Sequence, residues 1–568
     1  MRGEKRNHVS CFASGAFVII AFFVVMLMLY GCGGVASTPS SMAQPTTPPP
    51  PATTPPPPVT PAPASITTYH YDVMRTGANP NETTLTPSNV NPSTFGKLAS
   101  FDVDGQIYGQ PLYLPNVSIG GAGRNVVFVA TEHDSVYAFD ADAKTTTPLW
   151  HVSFINPGAG VTTVNSTTDF QKFGVIYDDI YPEIGITSTP VIDTSTGTIY
   201  VVAKTKESGK FVQRLHALDI TTGAEKFGGP TVIQASIPGR GVVNDGNGNI
   251  VFDPLVANQR SALLLLNGKI WLTFASHGDF DPFLGWILIY DAQTLKQVVA
   301  FAPTPDGAGG GIWETGNGPA VDSAGNVYVG VGNGDYTAGS GGRDYGDSFL
   351  KLTLSGSTLQ VADWFTPFNF QDLNNMDHDI GSGGPILLPD QPSSPAHLLV
   401  GGSKAGQLYV VNRDTMGHNH ASDNSQAVQV VTLPGGLFGN PAVWTNHLYI
   451  QSLKSPLQCY TINAGQLAAP SQASEVFSYP GASPTVSSNG SSNGIVWTID
   501  ASNWDNGPAV LHAYDATDCA KELYNSAQAS GGRDTAGGTA VKFSVPTVMN
   551  GKVYVSGGGK LTVYGLLP

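Results

Sequence analysis

Residues 125–142, Asn-Val-Val-Phe-Val-Ala-Thr-Glu-His-Asp-Ser-Val-Tyr-Ala-Phe-Asp-Ala-Asp, constrain this chain more than any other stretch. β-Branched and aromatic residues bounded by turn formers predict two short strands, 126–130 and 136–140, joined by the polar turn 131–135. A lone hairpin cannot bury both its faces, so a chain built on one must repeat it. The pattern returns at 198–203 with 215–219, 269–274 with 286–292, 326–330 with 348–353, 397–400 with 407–412, 447–450 with 457–462, 494–499 with 510–516, and 551–555 with 561–564.

Most copies follow a Pro-containing segment, as at Pro190, Pro319, Pro385, Pro441, Pro484 and Pro546. Several precede a strand ending in an aromatic, as at Trp150, Phe227, Phe301, Trp364 and Tyr524. Four strands per unit without helical periodicity predict an all-β fold, a β-propeller of four-stranded antiparallel blades. The copies point to eight blades, with seven as the alternative. The eighth copy stops after its third strand. The N-terminal segment 95–103, Phe-Gly-Lys-Leu-Ala-Ser-Phe-Asp-Val, has the form to supply the fourth and close the ring without a free sheet edge.

Composition agrees and excludes some functions. Only 12% of the 568 residues are charged, while Gly numbers 67 and Pro 42, which suits strands and turns. With 27 basic against 42 acidic residues the formal charge is -15, and no basic run follows the first residues, so no nucleic-acid partner is expected. Nothing supports a nucleophile elbow for hydrolase chemistry.

Arg2, Lys5 and Arg6 precede an apolar run over 11–30 that ends in Leu29-Tyr30-Gly31-Cys32. Such a start reads as a secretory signal. Its end resembles the bacterial lipoprotein motif, which implies lipidation of Cys32; an uncleaved membrane anchor is the alternative. Either reading puts the rest in the cell envelope, on the periplasmic or extracellular face, with a membrane as partner through the anchor. Gly33 after the cysteine favours the outer membrane in a Gram-negative cell. The expected organisation is a signal peptide (1–32), a Pro/Thr-rich disordered tether (33–68) and the propeller (69–568). Cys459 and Cys519, in neighbouring repeats, either pair or remain buried thiols.

The segments Ala138-Phe-Asp-Ala with Pro148-Leu-Trp150, and Ala217-Leu-Asp-Ile-Thr-Thr-Gly223, resemble the repeat of the pyrroloquinoline-quinone (PQQ) dehydrogenases and their non-enzymatic relatives, the quinoprotein alcohol dehydrogenase-like superfamily. The resemblance implies an axial cofactor site built from the loops of successive blades. Gly309-Gly-Gly-Ile-Trp313 resembles the segment whose Trp stacks under the quinone. Gly332-Asn333-Gly334 resembles the Gly-Asn that supplies a Ca²⁺ ligand, and Glu207 falls near the Ca²⁺-binding Glu. The segment from Thr366-Pro367 to Asp377-His-Asp379 resembles the one bearing the catalytic base, with Asp377 and Asp379 both eligible. Lys404 stands where the basic residue touching the quinone is found. The family's adjacent Cys-Cys cap is replaced by Tyr177-Asp-Asp-Ile180, and no c-type haem motif occurs, so a separate electron acceptor would be needed. Two functions follow. One is an envelope binding or scaffold module with an axial pocket and a protein partner; the other is a PQQ- and Ca²⁺-dependent oxidoreductase of a small alcohol or sugar.

Overall fold

The computed structural model describes residues 64–568 apart from 175, 176 and 505, so the signal segment, Cys32 and nearly all of the expected tether lie outside the described residues. Eight sheets, one for each hairpin copy, form an eight-bladed β-propeller. The first blade runs Leu112–Ile119, Ala122–Ala130, Ser135–Asp140, Trp150–Ser153 in spatial order. Its central hairpin joins the two expected strands, pairing Val126 with Asp140 and Ala130 with Val136. Ser135–Asp140 is buried along its whole length. Stacked blades cover both faces of each sheet, which is why such strands lack apolar–polar alternation. Trp271 of the third blade, for instance, packs in one cluster with Val327, Val329 and Leu350 of the fourth.

The ring closes as expected. Phe95–Gln106 pairs with the last strand of the chain, placing Phe95 opposite Leu566 and Phe101 opposite Leu561. Within Lys552–Leu566 the chain doubles back as the hairpin expected of the eighth copy, so that a Cβ on Gly565 would lie 3.0 Å from Gly551 O. Gly559, with φ 76°, lies in its bend, and Gly557 and Gly558 pair with Ala540 and Thr539.

Cys459 and Cys519 form a disulfide between the strands Ser455–Asn463 and Asp518–Asn525, so it links the sixth blade to the seventh. Closing a loop of 60 residues in the unfolded chain stabilises the ring by about 2–4 kcal/mol.

Ile66, three residues ahead of the expected Tyr69, exchanges two backbone hydrogen bonds with Tyr113 at 2.8 and 2.9 Å. From there the chain crosses the hub, meeting the innermost strand of one blade after another. The carbonyls of Thr67, Val73, Met74, Thr76 and Gly77 accept from the amides of Ile192, Val321, Leu387, Val443 and Val486. Asn79 Nδ2 then donates to Val548 O of the eighth blade at 2.9 Å. Arg75, wholly buried in this hub segment, donates to Pro319 O, Thr68 Oγ1 and Tyr69 O at 3.2, 2.7 and 2.9 Å.

Candidate active site

Loops from around the ring converge on a cavity of about 1020 Å³. It gathers five of the six ligand-site residues singled out in the sequence: Trp313, Asn333, Asp377, Asp379 and Lys404 all line it. Backbone hydrogen bonds passed between loops hold them in place. Gly332 N donates to Gly311 O, Asp347 N to Gly332 O, and Lys404 N to Asp379 O, at 2.8, 2.9 and 3.1 Å. Gly332 is required by close approach, since a Cβ there would lie 2.6 Å from Asp379 Oδ2.

The polar centre is Lys404. Its Nζ lies 2.5 Å from Asp377 Oδ1 and 2.8 Å from Asp379 Oδ1. Burial works against its charge, but Asp379 and Asp377 outweigh burial and hold the ammonium above its ordinary range. The same Nζ lies 5.3 Å from the centre of the Trp313 ring, and Trp313 Nε1 donates to Asp379 Oδ2 at 3.2 Å. Asn333 Nδ2 donates to Asp377 Oδ1 at 2.6 Å. The two aspartates thus differ. Asp379 is buried with both oxygens engaged, whereas the Asp377 side chain is 66% exposed.

Glu207 stands apart from this group. Ser208 and Gly209 both have positive φ, as a two-residue type I′ hairpin turn requires, and Glu207 pairs directly with Lys210 across it. The ladder therefore runs out to the tip and carries Glu207 with it. There Arg214 grips its carboxylate with Nε and Nη2, each at 2.8 Å. Glu207 is not among the residues lining the cavity.

A carboxylate from the third blade faces the cavity in its stead. Asp279 lies in the loop 276–281, which the cavity walls include. Its enclosed setting, reinforced by repulsion from Asp379, pushes its carboxyl up to about 7. The segment replacing the Cys-Cys cap also reaches the cavity, through Tyr177 and Asp179, and the Tyr177 hydroxyl meets His277 Nδ1 at 3.1 Å. Arg260 and Phe543 complete the wall. No local motif marked Phe543. The signal for Arg260 was a lone charge just ahead of the apolar run Ala262-Leu-Leu-Leu-Leu266.

Glu314 anchors the Trp313 loop from behind. Wholly buried, it accepts from Gly330 N at 2.7 Å and Ser261 Oγ at 3.1 Å. Burial pushes its carboxyl up to about 7. A carboxyl raised on folding favours the folded state least once ionised, so its contribution falls as pH rises from about 4.5 to 7. Glu314→Gln should therefore be more stable than the parent at pH 8, by about 3 kcal/mol, and no more stable at pH 4.5. Denaturant unfolding at the two pH values checks this; equal differences at both would refute it.

The fold and site together define an eight-bladed propeller with a loop-lined, charged central cavity. Solved structures of that class are similar to it. The chain superimposes on the quinohemoprotein alcohol dehydrogenase ADHIIG from Pseudomonas putida HK5 with a TM-score of 0.57, at 14% identity over 89% of this chain and 80% of that one. The quinohemoprotein alcohol dehydrogenase from Comamonas testosteroni gives 0.57, 14%, 88% and 80%. A europium-containing methanol dehydrogenase gives 0.53, 14%, 89% and 99%. No family model matches the sequence, and no curated protein does. The shared property is the fold.

Proposed function

We propose that the chain is a PQQ- and Ca²⁺-dependent oxidoreductase of a small alcohol or sugar, tethered at the cell envelope. The observation that carries this is the convergence of Trp313, Asn333, Asp377, Asp379 and Lys404 on one cavity. Asn333 lies in the central hairpin of the fourth blade and Lys404 in that of the fifth, with Trp313 and the two aspartates on the segments that lead into those blades.

The residues suit the cofactor. Trp313 offers an indole face, and Asn333 Oδ1 is buried without a hydrogen-bond partner, as an oxygen meant for a cation would be. Among the described residues no three His, Cys, Asp or Glu side chains form a metal site by themselves, so Ca²⁺ would draw on Asn333, Asp377 and oxygens of the cofactor. Bound there, the quinone supplies a two-electron acceptor for hydride. Asp377, exposed and held by Asn333 and Lys404, is suited to take the substrate hydroxyl proton on its free oxygen. Asp379 orients Trp313 and Lys404, and the Lys404 ammonium stabilises negative charge developing beside it.

Titrating the purified protein with PQQ and CaCl₂ tests the reading, with melting temperature and tryptophan quenching as readouts. Saturable stabilisation needing both is expected, followed by dye reduction with an alcohol or sugar. No stabilisation at saturating PQQ would leave the non-catalytic binding module as the better reading. For the tether, Cys32→Ser is expected to move the protein from the membrane fraction to the soluble one; retention on membranes would exclude lipidation.

A further inference from the structure

The loops that bring Asn333 and Asp379 into the cavity are joined from behind by one side chain. At Asp347 the chain leaves the hairpin loop of the fourth blade and enters the strand Ser348–Ser355. Its backbone N–H donates to Gly332 O at 2.9 Å, beside Asn333. Its carboxyl Oδ1 accepts from Ile380 N at 3.3 Å, beside Asp379. One residue thus holds the chain neighbour of each. The residues flanking Asp347 hold the same two loops. A Cβ on Gly346 would overlap Gly334 O, and Ser348 Oγ meets Thr366 Oγ1 at 2.7 Å, in the segment that leads to Asp379.

Asp347 is wholly buried, with φ 48°, a left-handed conformation that Asp and Asn tolerate better than most side chains. Its Oδ2 has no hydrogen-bond partner among the described residues, and Tyr409, which feels its charge, has a buried hydroxyl equally without one. Burial, and after it repulsion from Asp379, holds the Asp347 carboxyl well above the ordinary carboxylate range. An apolar residue would fill the place at less cost, so the oxygen is what the place requires. The bond from Ile380 N uses that oxygen as an acceptor and needs no charge on it.

We infer that Asp347 is a positioning residue, which fixes Asn333 and Asp379 relative to each other. It thereby sets the spacing between the free Asn333 Oδ1 and the carboxylate that orients Trp313 and Lys404. Partners behind a site are what hold its ligating groups in register, and their loss is felt in affinity. Which ligand the spacing serves rests on the PQQ and Ca²⁺ reading; the tie between the loops does not.

Two variants of the full-length protein separate side chain from backbone. Asp347→Asn keeps the acceptor oxygen and tolerates the left-handed backbone; Asp347→Gly suits that backbone and removes the oxygen. Hydrogen exchange without ligand, read by mass spectrometry, should find the Ile380 amide protected in the parent and in Asp347→Asn. In Asp347→Gly it should exchange about tenfold faster or more. Titration with PQQ and CaCl₂, followed by tryptophan quenching below each protein's melting temperature, should find binding about 10–100-fold weaker in Asp347→Gly. Asp347→Asn should restore it and follow the parent's pH profile of binding. An Asn variant as weak as the Gly variant would overturn the inference, since charge rather than the tie would then matter. So would a Gly variant that binds as the parent does. If the parent itself fails to bind PQQ, the quinone reading falls and exchange alone decides the tie: equal rates at Ile380 in all three proteins would overturn it.

Discussion

An Arg75→Ala variant is expected to lose about 3–5 kcal/mol of stability, the range for removing a buried, hydrogen-bonded charged group. Arg75 has no solvent exposure, and burial draws its guanidinium down to about 10 even with Asp72 and Glu314 pulling it back up. Its donors serve the carbonyls of Pro319 and Tyr69 and the hydroxyl of Thr68. Truncation would strand those acceptors at the centre of the ring, where no solvent replaces the lost donor. The unfolding entropy of a body this long is large, so the melting temperature should fall by roughly 1 °C per kcal/mol. Denaturant unfolding is the more sensitive measurement. Arg240→Ala, at an exposed loop position, should change stability by no more than about 0.5 kcal/mol. Equal effects of the two substitutions would show that the hub segment does not hold the ring.

The second large effect concerns Lys404. In Lys404→Met, Asp377 and Asp379 lose the ammonium they share, and buried Asp379 keeps only the Trp313 indole. In chelator this should cost about 3–5 kcal/mol. Two carboxylates freed of their cation should then take up Ca²⁺ more readily than the parent does, so millimolar CaCl₂ should restore most of the lost stability. PQQ binding should move the other way, weakening about 10–100-fold as a charged hydrogen-bond donor is lost. Opposite signs for metal and quinone are what a shared site demands. A variant with unchanged affinity for both would show that Lys404 is a bystander.

The propeller was legible because each blade carries its own copy of one local pattern, and a local pattern survives in sequence. Trp313, Asn333 and Lys404 were legible for the same reason, since each occupies a loop of fixed position relative to its blade. Glu207 broke that logic. Counting residues from the strand placed it in an open loop, whereas Ser208-Gly209 closes a minimal turn and the strands continue to the tip. Register across a hairpin depends on turn type, and one small residue pair decides it. Arg260 and Phe543 lie 283 positions apart and meet only because the ring closes, so no local pattern joins them. The hub segment was illegible for a related reason. Its hydrogen bonds go to innermost strands spread over the whole chain, and its own residues show no period.

That hub segment bears on how the protein carries force. A pull on the chain ahead of Ala64 does not arrive at an outer blade edge, where one strand could peel away. It arrives at the axle. There it meets backbone bonds to one blade after another in turn, beginning with the pair between Ile66 and Tyr113. Each must open before the next is reached, so a molecule held by this end should release its hub segment step by step before any blade strand is drawn out.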